Sequence, residues 1–275
     1  MTVELPRIAI LGTGSMGGAI LAGLTAPGVA VDGGIRVTNR TEVKASALRT
    51  GDVTSLSTEV DPDANAIALA GARVAIIGVK PGMVDGLLRE VAASLEEGTI
   101  IVSVAAGVTT AAMEAAVPNV VVRAMPNTPS LVGMGVTGIA AGSRADADDL
   151  ALVRAVFETV GSVLEVPEDK IDALSTVSGS GPAYVFYLIE QLTASAIDLG
   201  FTPEQAELMV GETFRGAAEL LSRSDDAPAE LRRRVTSPGG TTERAIAELE
   251  TGGLKELFDR ATASALARAR EIAAE

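Results

Sequence analysis

The sequence of 275 residues contains no cysteine, no histidine and no tryptophan, and aromatic residues make up only 3% of it. Without cysteine there is no disulfide and no thiolate nucleophile, and without cysteine or histidine the common zinc sites are excluded. Without histidine, no imidazole can act as an acid or a base near neutral pH. Any chemistry must therefore use a cofactor, hydroxyls, carboxylates, amides or one of four lysines, which are Lys44, Lys80, Lys170 and Lys255.

Long apolar runs and basic segments are also missing. No uninterrupted apolar stretch reaches the roughly 20 residues that a membrane helix needs, so no membrane span is predicted. The N-terminal sequence MTVELPRIAI has neither a basic region nor a small-residue cleavage site, which favours a cytoplasmic location. A net charge of −14 argues against a nucleic-acid partner. The tight basic cluster Arg232 to Arg234 is interpreted as a solvated helix face.

The stretch RIAILGTGSMGG, residues 7–18, predicts a buried strand, a glycine-rich turn and then a helix. This arrangement places a dinucleotide pyrophosphate at a helix N-terminus. Gly12 permits the tight turn, Gly14 lets the backbone approach the phosphates, and Gly17 lets the helix pack close to the strand. The glycines alone are a weak signal, and their position between a strand and a helix makes the nucleotide site the favoured interpretation.

Short apolar strands alternate with helices over residues 1–167, which is typical of an α/β domain with a mainly parallel sheet. The predicted strands are 7–11, 35–38, 73–78, 99–104, 120–124, 136–140 and 162–166, with a brief extended piece at 52–54. The predicted helices are 16–25, 42–49, 64–70, 83–95, 109–115 and 147–160. The sheet domain is predicted to end near Pro167.

Residues 168–275 contain no further convincing strand and predict a helical domain. The predicted helices are 171–178, 182–199, 203–221, 242–249 and 254–274. The helix that begins at Pro182 is apolar on nearly all sides, so we expect it to be buried. It could be buried inside its own domain or against helices of a second subunit, and we expect an oligomer.

The end of the second strand indicates which dinucleotide would bind. A site that prefers NAD usually carries an Asp or Glu there, which accepts a hydrogen bond from the ribose 2′-hydroxyl. This chain has Thr38, Asn39, Arg40 and Thr41 instead. A guanidinium beside amide and hydroxyl donors suits a 2′-phosphate, which favours NADPH, although Arg40 could also be a solvated surface residue.

Three further segments follow predicted strands and should lie at the same edge of the sheet. Lys80, in the sequence Val79-Lys80-Pro81, could contact the ribose, orient a substrate or only cap a turn. The small residues of Val104-Ala105-Ala106 leave room for a flat nicotinamide. The amide of Asn127, in a proline-stiffened loop, could bind a substrate or the backbone.

Another turn, Ser237-Pro238-Gly239-Gly240-Thr241-Thr242, opens onto a predicted helix. Its backbone N–H groups and hydroxyls could bind a small carboxylate. The alternative is an ordinary helix cap, in which Thr241 or Thr242 satisfies the first turn.

Six segments, GTGSMG, VKP, AAGVT, RAMPNTP, SGSGPAY and SPGGTT, occur in this order over essentially the whole chain. With them the chain resembles the pyrroline-5-carboxylate reductase family, for which SGSGPAY together with SPGGTT is specific. The resemblance implies a Rossmann-like N-terminal domain and a helical C-terminal domain that forms dimers, which often assemble into a decamer. It also implies reduction of Δ1-pyrroline-5-carboxylate to L-proline with NADPH or NADH.

The resemblance assigns functional residues by matching motifs. Those assigned to the cofactor are Gly12, Thr13, Gly14, Ser15, Met16, Gly17, Asn39, Arg40, Asn65, Val79, Lys80, Pro81, Val104, Ala105 and Ala106. Thr241 and Thr242 match positions that hold the substrate carboxylate, and Ser237, Gly239 and Gly240 belong to the same turn. We expect Thr242 to donate a hydrogen bond near the imine nitrogen or the carboxylate of the substrate. Asp225 falls near an acidic family position, and Arg234 replaces an asparagine of some relatives.

Two other functions are compatible with a nucleotide domain. A 3-hydroxy acid dehydrogenase of similar layout would use a catalytic lysine in the second domain, but no lysine occurs between Ile171 and Leu254. A dinucleotide sensor without catalytic activity would explain the glycine loop, but it gives no reason for a second site of carboxylate size.

Overall fold

The fold is described from a computed structural model, which covers residues 2–274, with side chains through residue 271. The chain divides into two compact units. The first contains residues up to Ser180 together with the C-terminal segment from Leu266, and the second contains Gly181–Ala265.

The first unit contains a sheet of eight strands. Each strand is parallel to its neighbours in the sheet, except for one pair of neighbours that is antiparallel. Apolar runs form these strands because both faces of the sheet are covered by helices. In chain order the strands are β2 (Ile8–Leu11), β4 (Ile35–Asn39), β5 (Val53–Ser57), β6 (Val74–Ile77), β7 (Ile100–Ser103), β8 (Val120–Met125), β9 (Gly135–Ala141) and β10 (Gly161–Glu165). Two short strands, β1 (Val3–Leu5) and β3 (Val29–Val31), form a separate parallel pair.

The strand order in the sheet is β10-β9-β8-β7-β6-β2-β4-β5. From β5 to β8 this is the order of a Rossmann fold, in which the chain first builds outward from β2 through β4 and then continues on the other side at β6. A crevice for a ligand is expected where the direction reverses, outside the carboxyl ends of β2, β4 and β6. The antiparallel neighbours are β8 and β9.

Helices of the first unit cover both faces of the sheet. They are α1 (Ser15–Leu24), α2 (Glu42–Ser46), α3 (Ala64–Leu69), α4 (Val84–Val91), α5 (Thr110–Glu114), α6 (Ala147–Glu158) and α7 (Ile171–Leu174). One apolar cluster lies on the side of α1 and α6 and includes Ile20 and Phe157, and the other lies on the side of α3 to α5 and includes Leu69 and Leu88. The burial of Val and Ile along the strands therefore fixes the sheet between two cores.

The second unit consists of helices, namely α8 (Gly181–Asp198), α9 (Pro203–Ser222), α10 (Pro228–Arg234), α11 (Thr241–Thr251) and α12 (Leu254–Ala274), the last of which continues beyond this unit. Helix α8 buries only Ala196, whereas Phe186 and Tyr187 are 66% and 60% exposed. Burial of α8 inside its own domain, one of the two alternatives, is therefore wrong for the single chain. Within residues 2–274 no helix is both long enough and apolar enough to cross a lipid bilayer.

The predicted α/β class and mainly parallel sheet are confirmed, and the strand and helix bounds differ at their ends. The predicted helix 171–178 is helical along its whole length, but Ile171–Leu174 are α-helical and Ser175–Gly179 form a π-helical turn. The sequence prediction also missed β1 and β3, and for α10 it placed only Arg232 to Arg234 on a helix face, without bounds. The two strands are only three residues long, and α10 has few apolar residues, so neither the strands nor the helix carries a clear period of hydrophobicity.

A buried ion-pair network joins the sheet to the segment after β10. The guanidinium of Arg123, on β8, donates to Asp172 at 2.6 Å and lies 3.7 Å from a carboxylate oxygen of Glu168. Glu168 also accepts from the backbone N–H of Thr110 at 2.7 Å and from its hydroxyl at 2.6 Å. This network, Arg123 with Glu168, Asp172 and Thr110, fixes the chain that leads into the π-helical turn.

Candidate nucleotide-binding site

A cleft of about 370 Å³ opens at the carboxyl ends of β2 and β4, where the Rossmann topology places a ligand. Five of the residues predicted to contact a cofactor line it, namely Gly12, Asn39, Arg40, Asn65 and Val79. The other lining residues are Leu11, Thr38, Thr58, Pro62, Met83, Leu87 and Glu90. Residues from four separate segments of the sequence therefore meet at the crevice.

The glycine-rich turn connects β2 to α1 beside this cleft. Gly12 has a φ of 94°, which favours glycine, so its predicted role in the tight turn is confirmed. Gly14 is the N-cap of α1, and no side chain caps the first turn of the helix. A Cβ on Gly14 would meet no atom within 4 Å. The first turn of α1 therefore has no side-chain acceptor and leaves space for an anion beside it.

The carbonyl group of Gly12 lies between two other glycines. A Cβ on Gly17 or on Gly78 would collide with the carbonyl oxygen of Gly12, which confirms that Gly17 allows close packing of helix and strand. Gly78 follows β6, and its N–H donates to the carbonyl oxygen of Leu11 at 2.9 Å. This role of Gly78 could not be predicted from the sequence, because the close approach of Gly78 to Gly12 depends on the distance between the ends of two strands.

Two polar atoms beside the turn are buried and have no hydrogen-bond partner among residues 2–274. They are the hydroxyl oxygen of Thr13 and the amide nitrogen of Asn39, a residue that is only 6% exposed. Buried polar groups are nearly always hydrogen-bonded in proteins, so these two atoms fit a ligand that offers hydrogen-bonding groups beside the turn. The guanidinium of Arg40 is exposed, and no ion pair or hydrogen bond is found for it within the described chain. A nucleotide, with its hydroxyls and phosphates, fits this set of donors.

Asn65, on α3, lies in the cleft as the resemblance predicts. Its amide nitrogen donates to a carboxylate oxygen of Glu90, on α4, at 3.1 Å. This bond orients the amide of Asn65. Glu90 itself was missed by sequence reasoning, because only the packing of α3 beside α4 brings it to the cleft.

The remaining residues predicted for the cofactor lie near the strand ends but do not line the cleft. Lys80 is exposed and precedes a short 3₁₀ turn, Pro81–Met83. Ser15 and Met16 begin α1, and Val104 to Ala106 follow β7. Contacts of these residues with a cofactor stay predictions.

The alternatives for Asn127 are decided in favour of the backbone. Its amide nitrogen donates to the carbonyl oxygen of Ser178 at 2.9 Å, and its amide oxygen accepts from the N–H of Val136 at 2.8 Å. Asn127 therefore holds the loop after β8 against the π-helical turn.

A larger cavity of about 610 Å³ lies near the amino ends of β4 and β5, and Gly33, Arg36 and Asp52 are among the residues that line it. No residue predicted to be functional lines it. In open α/β sheets ligands bind at the carboxyl ends of the strands, so the smaller cleft is the candidate site.

In the second unit, the turn before α11 is held by a carboxylate. Gly239 has a φ of 72°, and its N–H donates to a carboxylate oxygen of Glu243 at 2.8 Å. The N-cap of α11 is Gly240 and no side chain caps the helix, so the alternative in which Thr241 or Thr242 caps it is wrong. Both threonine hydroxyls remain without a partner among the described residues.

The basic cluster on α10 is neutralised by neighbouring carboxylates. Arg234 pairs with Asp226 at 2.6 Å and with Glu230 at 3.1 Å, and Arg232 pairs with Glu250 at 3.0 Å. Hydrogen bonds from Arg233 and then Arg234 lower the pKa of Glu230 to about 2. Arg232 to Arg234 are exposed, which agrees with a solvated face. Asp225 lies in the segment before α10.

Two comparisons with known sequences agree with this geometry. Residues 168–272 match the family model for pyrroline-5-carboxylate reductase dimerisation. The pyrroline-5-carboxylate reductase of Corynebacterium melassecola is 39% identical over 273 residues, which cover 98% of this chain and 99% of that protein. The chain belongs to the pyrroline-5-carboxylate reductase family. The Pseudomonas aeruginosa member of the family is 36% identical over 277 residues, which cover 98% of each chain. Members of this family are oxidoreductases.

Residues 7–107, which contain the glycine turn, also match a family model described as NADP oxidoreductase, coenzyme F420-dependent. Among solved structures, a pyrroline-5-carboxylate reductase from Coxiella burnetii has a TM-score of 0.88 at 38% identity, covering 96% of this chain and 97% of that one. A pyrroline carboxylate reductase from Plasmodium falciparum with NADP bound shares the fold, with a TM-score of 0.80 at 24% identity over 97% and 98% of the two chains.

Proposed function

We propose that the protein reduces Δ1-pyrroline-5-carboxylate to L-proline with NADPH. Membership of the reductase family supports the reaction. The observation that carries the nucleotide part is the unpartnered amide of Asn39, which is buried in a cleft at the switch point of the sheet. Arg40 beside it supports NADPH, with NADH as a possible second cofactor.

In this proposal the turn Gly12 to Gly17 binds the pyrophosphate, and Asn39, Arg40 and Asn65 bind the adenosine part. Residues Val79 to Pro81 and Val104 to Ala106 border the nicotinamide part. The dinucleotide supplies a hydride. These two sets of residues would hold the two ends of the dinucleotide at the carboxyl ends of the strands.

The substrate is a cyclic imine, which is already an electrophile when it is protonated. Its reduction needs no strong protein acid, which agrees with the absence of histidine. The task of the protein is then mainly positioning. The turn Ser237 to Thr242 would bind the substrate carboxylate through the N–H of Gly239 and the free hydroxyls of Thr241 and Thr242. The N–H of Gly239 donates to the carboxylate of Glu243 in this structure. The substrate carboxylate would replace Glu243 as the acceptor of this hydrogen bond.

The experiment that tests the proposal is NADPH oxidation by the purified chain with Δ1-pyrroline-5-carboxylate, repeated with NADH and with a 2-keto acid. Turnover of the imine, with proline as the product, supports the proposal. Turnover of the keto acid alone would indicate a hydroxy acid dehydrogenase, and binding of NADPH without turnover of any imine would favour a sensor.

Replacing Thr242 by alanine should reduce kcat/KM for the imine about 10-fold to 100-fold, the loss expected for one hydrogen bond to a charged group. Thr242→Ser should restore most of the activity because it keeps the hydroxyl. Thr251→Ala, at the other end of α11, is the matched control and should have no effect. Full kcat/KM in Thr242→Ala would remove Thr242 from the mechanism.

The protein is also proposed to form a dimer through its C-terminal helices, and a decamer is possible. The match to a dimerisation family and the apolar exposed side chains of α8, such as Phe186 and Tyr187, support this.

Phe186→Glu should weaken self-association about tenfold or more, because a carboxylate would be buried in an apolar interface. Sedimentation velocity over a range of protein concentrations measures this. Val43→Glu, at an 80% exposed position on α2, is the control and should leave the sedimentation coefficient unchanged. An unchanged dimer in Phe186→Glu would place the interface elsewhere.

Two further expectations stay predictions. The functional boundary after Pro167, between residues 1–167 and 168–275, agrees with the start of the dimerisation match at residue 168. The cytoplasmic location rests on the sequence alone.

A further inference from the structure

A carboxylate from the loop that follows β5 reaches the end of β4, beside the candidate cofactor cleft. The backbone N–H of Glu42, two residues after Arg40, donates to a carboxylate oxygen of Glu59 at 3.1 Å. This N–H directly follows the segment Asn39-Arg40-Thr41, which carries the proposed 2′-phosphate donors. The carboxylate of Glu59 and a phosphate bound by Arg40 would therefore both accept hydrogen bonds in the same small region.

The position of Glu59 is fixed by its backbone. The N–H of Thr58 donates to the carbonyl oxygen of Asn39 at 2.9 Å, and the N–H of Glu59 donates to the carbonyl oxygen of Arg40 at 3.1 Å. These two bonds continue the pairing of β5 with β4 beyond the ends of both strands. Glu59 is thus held alongside Arg40.

The charged side chains around Glu59 differ in whether they already have an ion-pair partner. Both carboxylate oxygens of Glu42 accept from the guanidinium of Arg49, at 2.6 and 2.9 Å, and these bonds lower the pKa of Glu42. Arg49 is therefore already paired, whereas Arg40 and Lys44, on α2, are exposed and have no ion pair among the described residues. The backbone of Glu59 lies beside that of Arg40, and Asp61 and Asp63 follow Glu59 in the same loop.

A 2′-phosphate carries a charge near −2, so it is repelled by carboxylates and competes with them for N–H donors. A ribose 2′-hydroxyl carries no charge, so carboxylates do not repel it and it does not need the same N–H donors. The buried, unpartnered amide of Asn39 shows that this end of the cleft is built for a ligand. The hydrogen bond between the N–H of Glu42 and the carboxylate of Glu59 therefore affects which dinucleotide binds more tightly in the cleft.

We propose that Glu59 is a specificity-determining residue that weakens the preference for NADPH over NADH, because its carboxylate competes with the 2′-phosphate for the N–H of Glu42 and repels it. This inference rests on the proposed use of NADPH. Arg40 favours the phosphate and Glu59 opposes it, so the wild-type protein discriminates less between the two dinucleotides than Arg40 alone would allow.

The test measures binding to the full-length protein by calorimetry, with NADPH and NADH and with the fragments 2′,5′-ADP and 5′-AMP. Glu59→Gln removes the charge and keeps an oxygen acceptor, whereas Glu59→Ala removes both. Glu97→Gln, at an exposed position before β7 at the amino end of the sheet, is the charge-matched control. Arg40→Gln tests whether the phosphate reaches Arg40.

Glu59→Gln should tighten the binding of NADPH and 2′,5′-ADP about twofold to fivefold, the size expected for one exposed charge interaction, and Glu59→Ala should tighten it at least as much. The gain from Glu59→Gln should shrink at high salt. NADH and 5′-AMP should change less than about twofold. Arg40→Gln should weaken NADPH selectively, and Glu97→Gln should change nothing.

Equal changes for both dinucleotides, or no change in either Glu59 variant, would overturn the role of Glu59 while leaving the proposed function intact. An unchanged NADPH affinity in Arg40→Gln would also overturn it. A wild-type protein that binds neither dinucleotide would overturn the proposed function, and the inference with it.

Discussion

Alanine at position 17 should weaken the binding of NADPH and NADH at least about tenfold and lower the free energy of unfolding by about 1–3 kcal/mol, the usual cost of overpacking. A Cβ on Gly17 collides with the carbonyl oxygen of Gly12 and lies 3.4 Å from Cγ2 of Ile10. The carbonyl of Gly12 cannot move toward β6, because Gly78 closes that side. The helix must therefore move away from the strand, and the turn between them loses its shape. Dinucleotide titration and urea unfolding at one protein concentration measure the two effects.

The neighbouring glycine provides the matched control. A Cβ on Gly18 meets no atom within 4 Å, and Gly18 lies in the same helix. Gly18→Ala should keep the affinity and raise the free energy of unfolding by up to about 1 kcal/mol, because alanine favours the helix. Equal behaviour of Gly17→Ala and Gly18→Ala would show that the contact with Gly12 does not set the shape of the turn.

Truncation of Arg123 should lower the free energy of unfolding by about 3–5 kcal/mol, the cost of removing one partner of a buried ion pair. The side chain of Arg123 is only 4% exposed, and its removal in Arg123→Ala leaves the carboxylates of Asp172 and Glu168 without their cation. Arg123→Lys should lose less, because an ammonium group can still pair with one of them. Urea unfolding at fixed protein concentration measures this, since self-association adds to the apparent stability.

A pair at the surface is the control for this prediction. Arg89 donates to Asp85 at 3.0 Å, and both side chains are well exposed. Arg89→Ala should cost less than about 1 kcal/mol. A loss in Arg123→Ala no larger than that in Arg89→Ala would mean that the network does not hold the segment after β10 to the sheet.

The mainly parallel sheet could be predicted because parallel strands buried on both faces need continuous apolar runs, whereas the Rossmann-like fold was implied by the family resemblance. Residues 73–78 and 99–104 show this pattern over their whole length. The π-helical turn at Ser175–Gly179 could not be predicted, because its sequence differs little from that of a loop or a helix end. Its form depends on the amide of Asn127, 51 residues earlier in the chain.

Some residues of the candidate site could also be predicted from the sequence, and others could not. Gly12, Gly14 and Gly17 were identified from their spacing and from their position between a predicted strand and a predicted helix, because a tight turn and a close helix require glycine at fixed positions. Glu90 and Glu59 could not be identified from the sequence, because Glu90 reaches the cleft only from the neighbouring helix α4 and Glu59 reaches the end of β4 only from the loop after β5. Both residues look like ordinary surface carboxylates in the sequence.

By itself, the sequence determined the α/β class, the nucleotide turn, the lack of imidazole and thiol chemistry, and the apolar character of α8. These properties follow from the composition and from local periodicity. The tertiary structure decided that the side chains of α8 stay exposed in the single chain, that Thr241 and Thr242 do not cap α11, and that Glu59 lies beside Arg40. The exposure of α8 and the position of Glu59 depend on packing between segments that are separated in the chain, whereas the cap of α11 depends on the local backbone of residues 239–243.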